Sequence, residues 1–293
     1  MTEGPEATHL SKFINRHFKG KRLSKINIVG GRYKHHGAPA RMKEFQQQLP
    51  ATLTDVYKKG KVIFLIFNNG WFIIAKMGMT GWFARPEDEQ LFESPPNVIF
   101  HFGEGVVPLT QVSALGPQKG VVPLTQLQWH DFRNFGTLTF TNNSSEVLEE
   151  LKGIAPDILD HVVTATQVYK RVLAAAELDT RQNPTIAEAL MDQTYAISGI
   201  GNIIKSELLY DAGISPKRHI RDLSKQDWFA VFRSARKISQ NVLRHLESGK
   251  GREEYFSAHK IYQKETDPKG LPVKKAQLGN GRTTFWVPEV QQH

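Results

Sequence analysis

The sequence contains no cysteine, so disulfide bonds and thiolate zinc sites are excluded, and redox chemistry says nothing about the compartment. It also has no run of about 20 apolar residues that would span a bilayer, and no basic amphipathic anchor helix. The eleven histidines have no metal-binding spacing, and His35 and His36 would point to opposite sides of a strand. We therefore expect no metal, no other cofactor and no membrane association.

The N-terminus is polar and lacks the apolar core of a secretion signal, so no such signal is expected, and the compartment stays open. A length of 293 residues with 40% hydrophobic content suits two domains plus an appendage. The net charge of +9 favours a polyanionic partner, of which nucleic acid is the commonest. A merely basic protein is the alternative that charge alone leaves open.

The first half of the chain has the pattern of a β-sandwich with flanking helices. A helix is predicted from Pro5 to Phe18 and a second from about Arg41 to Leu49. Asn69-Gly70 is a typical hairpin turn. The predicted strands begin at Arg22 and include residues 61–67, 71–79, 97–102, 127–130 and 137–141.

The second half is helical and ends in a short β-hairpin. Helices are predicted over residues 146–152, 166–178, 185–193, 202–211 and 227–246. The fold class is therefore α+β, and we place the domains at 1–143, 144–256 and 257–293. One segment is unusual, because residues 105–111 recur as residues 120–126. Two copies are too few for a solenoid, so we interpret them as an enlarged hairpin loop.

The segment Thr2–Glu6 places an amine beside two carboxylates at the start of a helix. Thr2 is small, so removal of Met1 is expected to leave a free α-amine with a pKa of about 8. Such an amine attacks the C1′ carbon of a nucleotide sugar, and Glu3 and Glu6 would move the protons. The alternative is a simple helix cap, in which the acidic residues complement the helix dipole.

Three further segments offer contacts to a nucleic acid. Gly199 and Gly201 allow close backbone approach, and Asn202 begins a helix whose amides face an anion. Lys61 begins a strand, from which a lysine reaches a phosphate, although a solvated loop charge is the simpler interpretation. Side chains near hairpin ends fill the gap that an extruded base leaves, and Met79, Arg133 and Phe135 lie at such positions.

Together these segments resemble the formamidopyrimidine-DNA glycosylase/endonuclease VIII (Fpg/Nei) family of DNA repair enzymes. The resemblance extends over nearly the whole chain. Val287 and Val290 stand where many members have a Cys-x-x-Cys zinc pair, as in the zincless-finger branch of giant viruses and animals. The matching segments are residues 2–6, 58–61, 76–81, 131–136, 193–213 and 282–291.

The resemblance implies a role for each matching residue. Position 2 supplies the Schiff-base amine, Glu3 is the acid/base that opens the deoxyribose, and Glu6 is a supporting carboxylate. Lys61 contacts phosphate and is associated with β-elimination. Asn202, in the helix-two-turn-helix motif, and Arg282, at the finger tip, grip phosphates, and Arg282 is associated with δ-elimination. The void-filling residues are Met79, Arg133 and Phe135.

The resemblance implies a bifunctional DNA glycosylase and AP lyase that acts as a monomer. Its expected substrate is duplex DNA that contains oxidised bases or abasic sites, with oxidised pyrimidines favoured. The family usually has proline at position 2, and this chain has Thr2. A primary amine still forms an imine, but a retained Met1 would remove the nucleophile. The first alternative is therefore a protein that binds damaged DNA or abasic sites without lyase activity. The second is an amidohydrolase with an N-terminal threonine.

Overall fold

The structure is a computed structural model that describes residues 2–91, 94–103, 126–178, 183–249, 258–278 and 281–292. Contacts within the chain divide it into two units. The β unit contains Thr2 and Leu10–Glu150, and the helical unit contains Glu3–His9 and the chain from Leu151 onward. Among the described residues, no helix combines the length and apolar character needed to cross a membrane.

In its described residues, the β unit is a sandwich of eight antiparallel strands, as the sequence predicted. The strands follow in the order β5-β7-β6-β1-β2-β3-β4-β8, and only two residue pairs join β1 to β2. Two layers of four strands therefore meet at that narrow connection. The strands are β1 (Arg22–Ile28), β2 (Ala51–Lys59), β3 (Val62–Phe67), β4 (Phe72–Lys76), β5 (Trp82–Ala84), β6 (Val98–Gly103), β7 (Gln126–His130) and β8 (Thr137–Thr141).

Aromatic side chains fill the core of this sandwich. Phe45 lies 5.0 Å from Phe67, 5.3 Å from Trp71 and 5.8 Å from Phe140, measured between ring centroids. Each large aromatic ring removes about 150–250 Å² of surface from water, so such a cluster contributes strongly to stability. Helix α1 (Gly4–Phe18) adds Phe18, whose ring lies 5.0 Å from that of Phe102.

The helical unit contains a core built around one long amphipathic helix and one buried helix. Trp228 and Val231 of the long helix pack with Ile204 and Leu208 of the buried helix. The buried helix ends at Gly213, whose φ of +71° is the left-handed conformation that glycine adopts at helix ends. The helices are α4 (Ser144–Gly153), α5 (Ala165–Leu178), α6 (Ile186–Met191), α7 (Asn202–Ala212) and α8 (Lys225–Glu247).

The chain ends in the predicted hairpin, formed by β9 (Lys274–Leu278) and β10 (Arg282–Trp286). One prediction was wrong, and one helix is shorter than predicted. His35 and His36 lie in a short helix, α2 (Gly31–His36), which Asn134 braces by accepting a hydrogen bond from the Arg32 amide at 2.7 Å.

Within the range predicted to be helical, Arg41 to Leu49, the observed helix is α3 (Met42–Gln46). The helix begins after Arg41 because that residue has a φ of +59°. It does not extend to Leu49 because a residue that precedes a proline disfavours helical geometry. The duplicated segments lie in residues 104–125, outside the described residues except for Gln126, so the enlarged loop stays a prediction.

Candidate functional site

Thr2 is buried in the β unit with both of its polar groups engaged. Its backbone nitrogen donates to the Met79 carbonyl at 2.9 Å, and its hydroxyl donates to the Gly81 carbonyl at 2.8 Å. Only 2% of Thr2 is exposed. The loop that follows β4 therefore holds position 2 against Met79. Because the hydroxyl proton is committed to a carbonyl, the arrangement disfavours the hydroxyl as a nucleophile.

The loop at residues 77–81 also meets the loop at residues 131–136 in the same unit. The Thr80 hydroxyl donates to the Asp131 carboxylate, and the Arg133 amide donates to the Thr80 hydroxyl at 3.3 Å. A Cβ at Gly78, where φ is +57°, would lie 2.7 Å from the backbone of Phe135. The structure thus brings together the three residues predicted to fill the void left by an extruded base.

Lys61 adjoins this region through its backbone. It lies in the turn between β2 and β3, where Gly60 has a φ of +58°, and its carbonyl accepts a hydrogen bond from Met77 at 3.3 Å. The side chain is half-buried. The predicted phosphate lysine is therefore fixed to the same loop that carries Met79.

Loop 131–136 presents apolar side chains to solvent on a rigid backbone. Phe132 and Phe135 are 53% and 54% exposed, and the Arg133 guanidinium lies 5.1 Å from the Phe135 ring centroid. Asp131 is buried and accepts from the Gly136 amide at 2.6 Å, while Asn134 adopts a φ of +57°. Exposed rings on a braced loop suit stacking against nucleobases.

We expect Asp131→Ala to destabilise the β unit by about 1–3 kcal/mol, because the Gly136 amide and the Thr80 hydroxyl would lose a buried acceptor. Urea unfolding measures this change. The control is Asp55→Ala, which removes an exposed ion pair with Lys19 and should cost at most about 1 kcal/mol. Equal unfolding midpoints for the two variants would contradict the bracing role of Asp131.

In the helical unit, Glu3 caps the start of α7. Its two carboxylate oxygens accept from the amides of Ile203 at 2.9 Å and Ile204 at 3.1 Å. Glu3 is fully buried, and its bonds to two amides at a helix N-terminus fix the position of the carboxylate. The helix dipole and two fixed amides therefore orient this predicted acid/base.

Glu6 lies one turn along α1 from Glu3. Its carboxylate accepts from the Glu3 amide at 3.1 Å, which is one half of a capping box. Burial, and then the neighbouring Glu3 carboxylate, raise the pKa of Glu6 to about 7. A carboxyl group with a pKa near 7 exchanges protons readily at neutral pH.

The glycine segment before α7 packs closely against the residues around Glu3. Gly4 donates to the Gly199 carbonyl at 2.8 Å, and Gly199 has a φ of +91°. A Cβ at Gly201 would overlap the Glu3 carboxylate. Gly201 therefore provides space for Glu3, a role that the sequence did not predict, whereas Gly199 supplies the positive φ.

Asn202 and Arg282 also lie near each other in the helical unit. The Asn202 side-chain amide donates to the Thr283 carbonyl at 2.9 Å, next to Arg282 on β10. Both residues line a surface depression together with Tyr262 and Lys275. The structure thus brings the two predicted phosphate contacts to one depression that also holds a further cation.

Comparisons with known proteins identify the family of this chain. The family model of the formamidopyrimidine-DNA glycosylase N-terminal domain matches residues 1–138, and that of the family's H2TH domain matches residues 154–253. The chain belongs to the formamidopyrimidine-DNA glycosylase family. Its fold class and its type, a DNA glycosylase of DNA repair, are those expected from the sequence.

Curated relatives extend over the whole chain. The formamidopyrimidine-DNA glycosylase of Listeria monocytogenes is 24% identical over 306 residues, which cover 100% of both chains. That of Geobacter metallireducens is 27% identical over 299 residues and covers 99% of this chain and 100% of its own. These full-length matches support the family assignment.

Solved structures show the same fold. The Lactococcus lactis enzyme, bound non-covalently to DNA containing an AP site, has a TM-score of 0.75 at 20% identity. The match covers 99% of this chain and 100% of that one. The L. lactis enzyme with DNA containing an oxidised pyrimidine has a TM-score of 0.74, also at 20% identity and with the same coverage.

Within this family fold, the terminal hairpin is packed by apolar side chains. Val287 is fully buried in a cluster with Phe285, Tyr262 and Ile203, and Val290 packs against that cluster. The Glu207 carboxylate of α7 accepts three backbone amides at the start of this segment, at 2.8–2.9 Å. These contacts hold the segment to α7 without requiring cysteine at either valine position.

Sequence reasoning missed one buried polar residue near the predicted phosphate contacts. Lys205 is fully buried in α7, three residues after Asn202 and on the same face of the helix. The available sequence signal was a lysine within a largely apolar stretch of helix, because an ammonium is rarely buried without partners.

Proposed function

We propose that this protein is a bifunctional DNA glycosylase and AP lyase that removes oxidised bases, with pyrimidines favoured, and then cleaves the strand by β,δ-elimination. The observation that carries the proposal is the fully buried Glu3 carboxylate, fixed by the amides of Ile203 and Ile204, directly after the residue that supplies the amine. An oriented carboxylate beside a nucleophilic amine is what imine chemistry on a sugar requires.

In the proposed reaction the Thr2 nitrogen, freed by removal of Met1, attacks C1′ of the damaged nucleotide. The base leaves as the C1′–N bond breaks, and loss of the ring oxygen from C1′ gives the imine. Glu3 takes a proton from the attacking nitrogen and delivers it to the ring oxygen as the sugar opens. Glu6, with a pKa raised to about 7 by burial, exchanges protons in support.

Contacts to DNA are assigned to the remaining predicted residues. Lys61, Asn202 and Arg282 bind phosphates, with Lys61 serving β-elimination and Arg282 serving δ-elimination. The void-filling residues and the two glycines near Asn202 complete the assignment. We further propose that the protein acts as a monomer on duplex DNA, with domains at 1–143, 144–256 and 257–293, and that it has a zincless finger.

The second candidate function is binding of damaged DNA or abasic sites without lyase activity. It is favoured by one observation, the hydrogen bond from the Thr2 nitrogen to the Met79 carbonyl, in a buried position where proline is usual in the family. Under this alternative the protein protects an abasic site but forms no imine. The amidohydrolase with an N-terminal threonine is disfavoured, because the Thr2 hydroxyl donates to a carbonyl.

Strand cleavage of defined duplexes tests the proposal. Labelled duplexes with one 5-hydroxyuracil, one 8-oxoguanine, one abasic site or no lesion are incubated with the protein. We expect faster excision of the oxidised pyrimidine, and product ends that carry a 3′-phosphate, as δ-elimination leaves. Tight binding to the abasic duplex without cleavage would contradict the proposed enzyme and support the binding protein.

A further inference from the structure

A buried ammonium group connects α7 to the terminal hairpin. The Lys205 Nζ donates to the Asn202 Oδ1 at 2.7 Å and to the Thr284 Oγ1 at 2.7 Å. Lys205 and Thr284 are both fully buried. Burial of an ammonium costs several kcal/mol even after relaxation, so a lysine in this position has a specific requirement for its partners.

The same group organises two consecutive residues of β10. Asn202, which accepts from Lys205, donates to the carbonyl of Thr283, and Lys205 itself binds the hydroxyl of Thr284. Two of these hydrogen bonds therefore fix this part of β10 to the first turn of α7, and the third joins Lys205 to Asn202 within that turn. Arg282 directly precedes the fixed pair, so the position of its backbone follows from them.

The electrostatic surroundings of Lys205 favour an anionic ligand nearby. Burial lowers the pKa of Lys205 to about 8; Glu3 opposes this change, and Arg282 adds to it. Burial raises the pKa of Tyr262, which lines the same depression; the Asn202 side chain opposes this change, and Glu3 and Arg282 then act in opposite directions. Two cations repel each other there, and a bound phosphate would relieve part of that repulsion.

We propose that Lys205 is a positioning residue that holds Asn202 and β10 so that Arg282 meets a DNA phosphate. The inference rests on the proposed function only in taking DNA as the ligand, and it requires no lyase chemistry. Lys205 itself is buried and acts through Asn202 and Thr284. Its effect on binding should therefore depend on the presence of Arg282.

The test uses the full chain and a duplex with a tetrahydrofuran abasic analogue, with binding followed by fluorescence anisotropy. Lys205→Met keeps the length of the side chain and removes the charge and the donors. We expect it to weaken binding about 10-fold at pH 7, as loss of a charge-assisted contact does. In an Arg282→Ala background the same substitution should weaken binding less than it does in the wild type, with the remaining effect passing through Asn202, because residues that act together are not additive.

A pH profile separates positioning from a general loss of stability. As the pH rises through about 8, Lys205 loses its proton, and wild-type affinity should fall more steeply than that of Lys205→Met. Two charged groups act on Lys205, namely Glu3 and Arg282, and both remain in the variant. Lys205→Gln keeps a hydrogen-bond donor but has no charge, so its affinity should also fall less steeply with pH. It replaces Lys205→Met in the test if the methionine variant does not fold.

Two results would overturn the inference. One is equal affinity of the wild type and both Lys205 variants, and the other is full additivity of Lys205→Met with Arg282→Ala. Failure of the wild type to bind the duplex would instead contradict the proposed function. Wild-type binding with unaffected variants would remove only the role of Lys205.

Discussion

Glu3→Gln is expected to slow base excision by at least about 100-fold, the lower end of what general acid–base catalysis supplies. The substituted side chain keeps the size of glutamate but cannot deliver a proton. In the wild type the two carboxylate oxygens accept hydrogen bonds from two α7 amides, at 2.9 Å and 3.1 Å. Glutamine would direct an NH2 group toward one of these amides and lose that hydrogen bond. Single-turnover excision kinetics on a duplex with an oxidised pyrimidine measure the loss.

The control for this variant is Glu44→Gln, which changes an exposed carboxylate in α3 and should leave excision unchanged. Affinity for the abasic-analogue duplex should stay within a few-fold of the wild type in both variants. The Glu3 charge also raises the pKa of Glu6, so that pKa should fall in Glu3→Gln. Excision by Glu3→Gln at the wild-type rate would remove Glu3 from the mechanism.

Gly201→Ala is expected to cause a comparable loss of excision through packing alone. The backbone there is extended, with φ of −122° and ψ of −167°, so alanine is not strained by its conformation. The new methyl group would overlap the Glu3 carboxylate, and either Glu3 or the start of α7 must move. Overpacking of this kind costs about 1–3 kcal/mol of stability in addition to the lost activity.

Gly153→Ala is the matched control, because its Cβ would meet nothing within 4 Å and it lies in the same unit. Urea unfolding should show a lower midpoint for Gly201→Ala than for Gly153→Ala, and excision assays should separate the two variants further. If Gly201→Ala kept wild-type stability and excision, the close packing of Glu3 against α7 would be wrong.

Local sequence patterns predicted most of the secondary structure, because the elements depend on residues near one another. The apolar run after Lys61 became β3 (Val62–Phe67), and α7 begins at Asn202 as predicted. The failure at His35 and His36 has a different origin. Their short helix is braced by Asn134, about 100 residues later in the chain, and no local pattern contains that contact.

The candidate site shows the same division between local and distant information. Residue type and the family resemblance selected Glu3, but its binding to the amides of Ile203 and Ile204 spans about 200 residues. The burial of Lys205 depends on strand β10, which lies about 80 residues later in the chain. The chemical roles of the selected residues stay predictions until variants are assayed.

The proposed mechanism depends on a covalent imine between the Thr2 nitrogen and the sugar. Borohydride trapping on a duplex with an oxidised pyrimidine tests it most directly, after mass spectrometry of the intact protein has established that Met1 is absent. We expect a reduced protein–DNA adduct whose peptide map places the DNA on Thr2. Absence of any adduct, with Met1 removed and tight binding retained, would contradict the claim, as would an adduct mapped to a lysine.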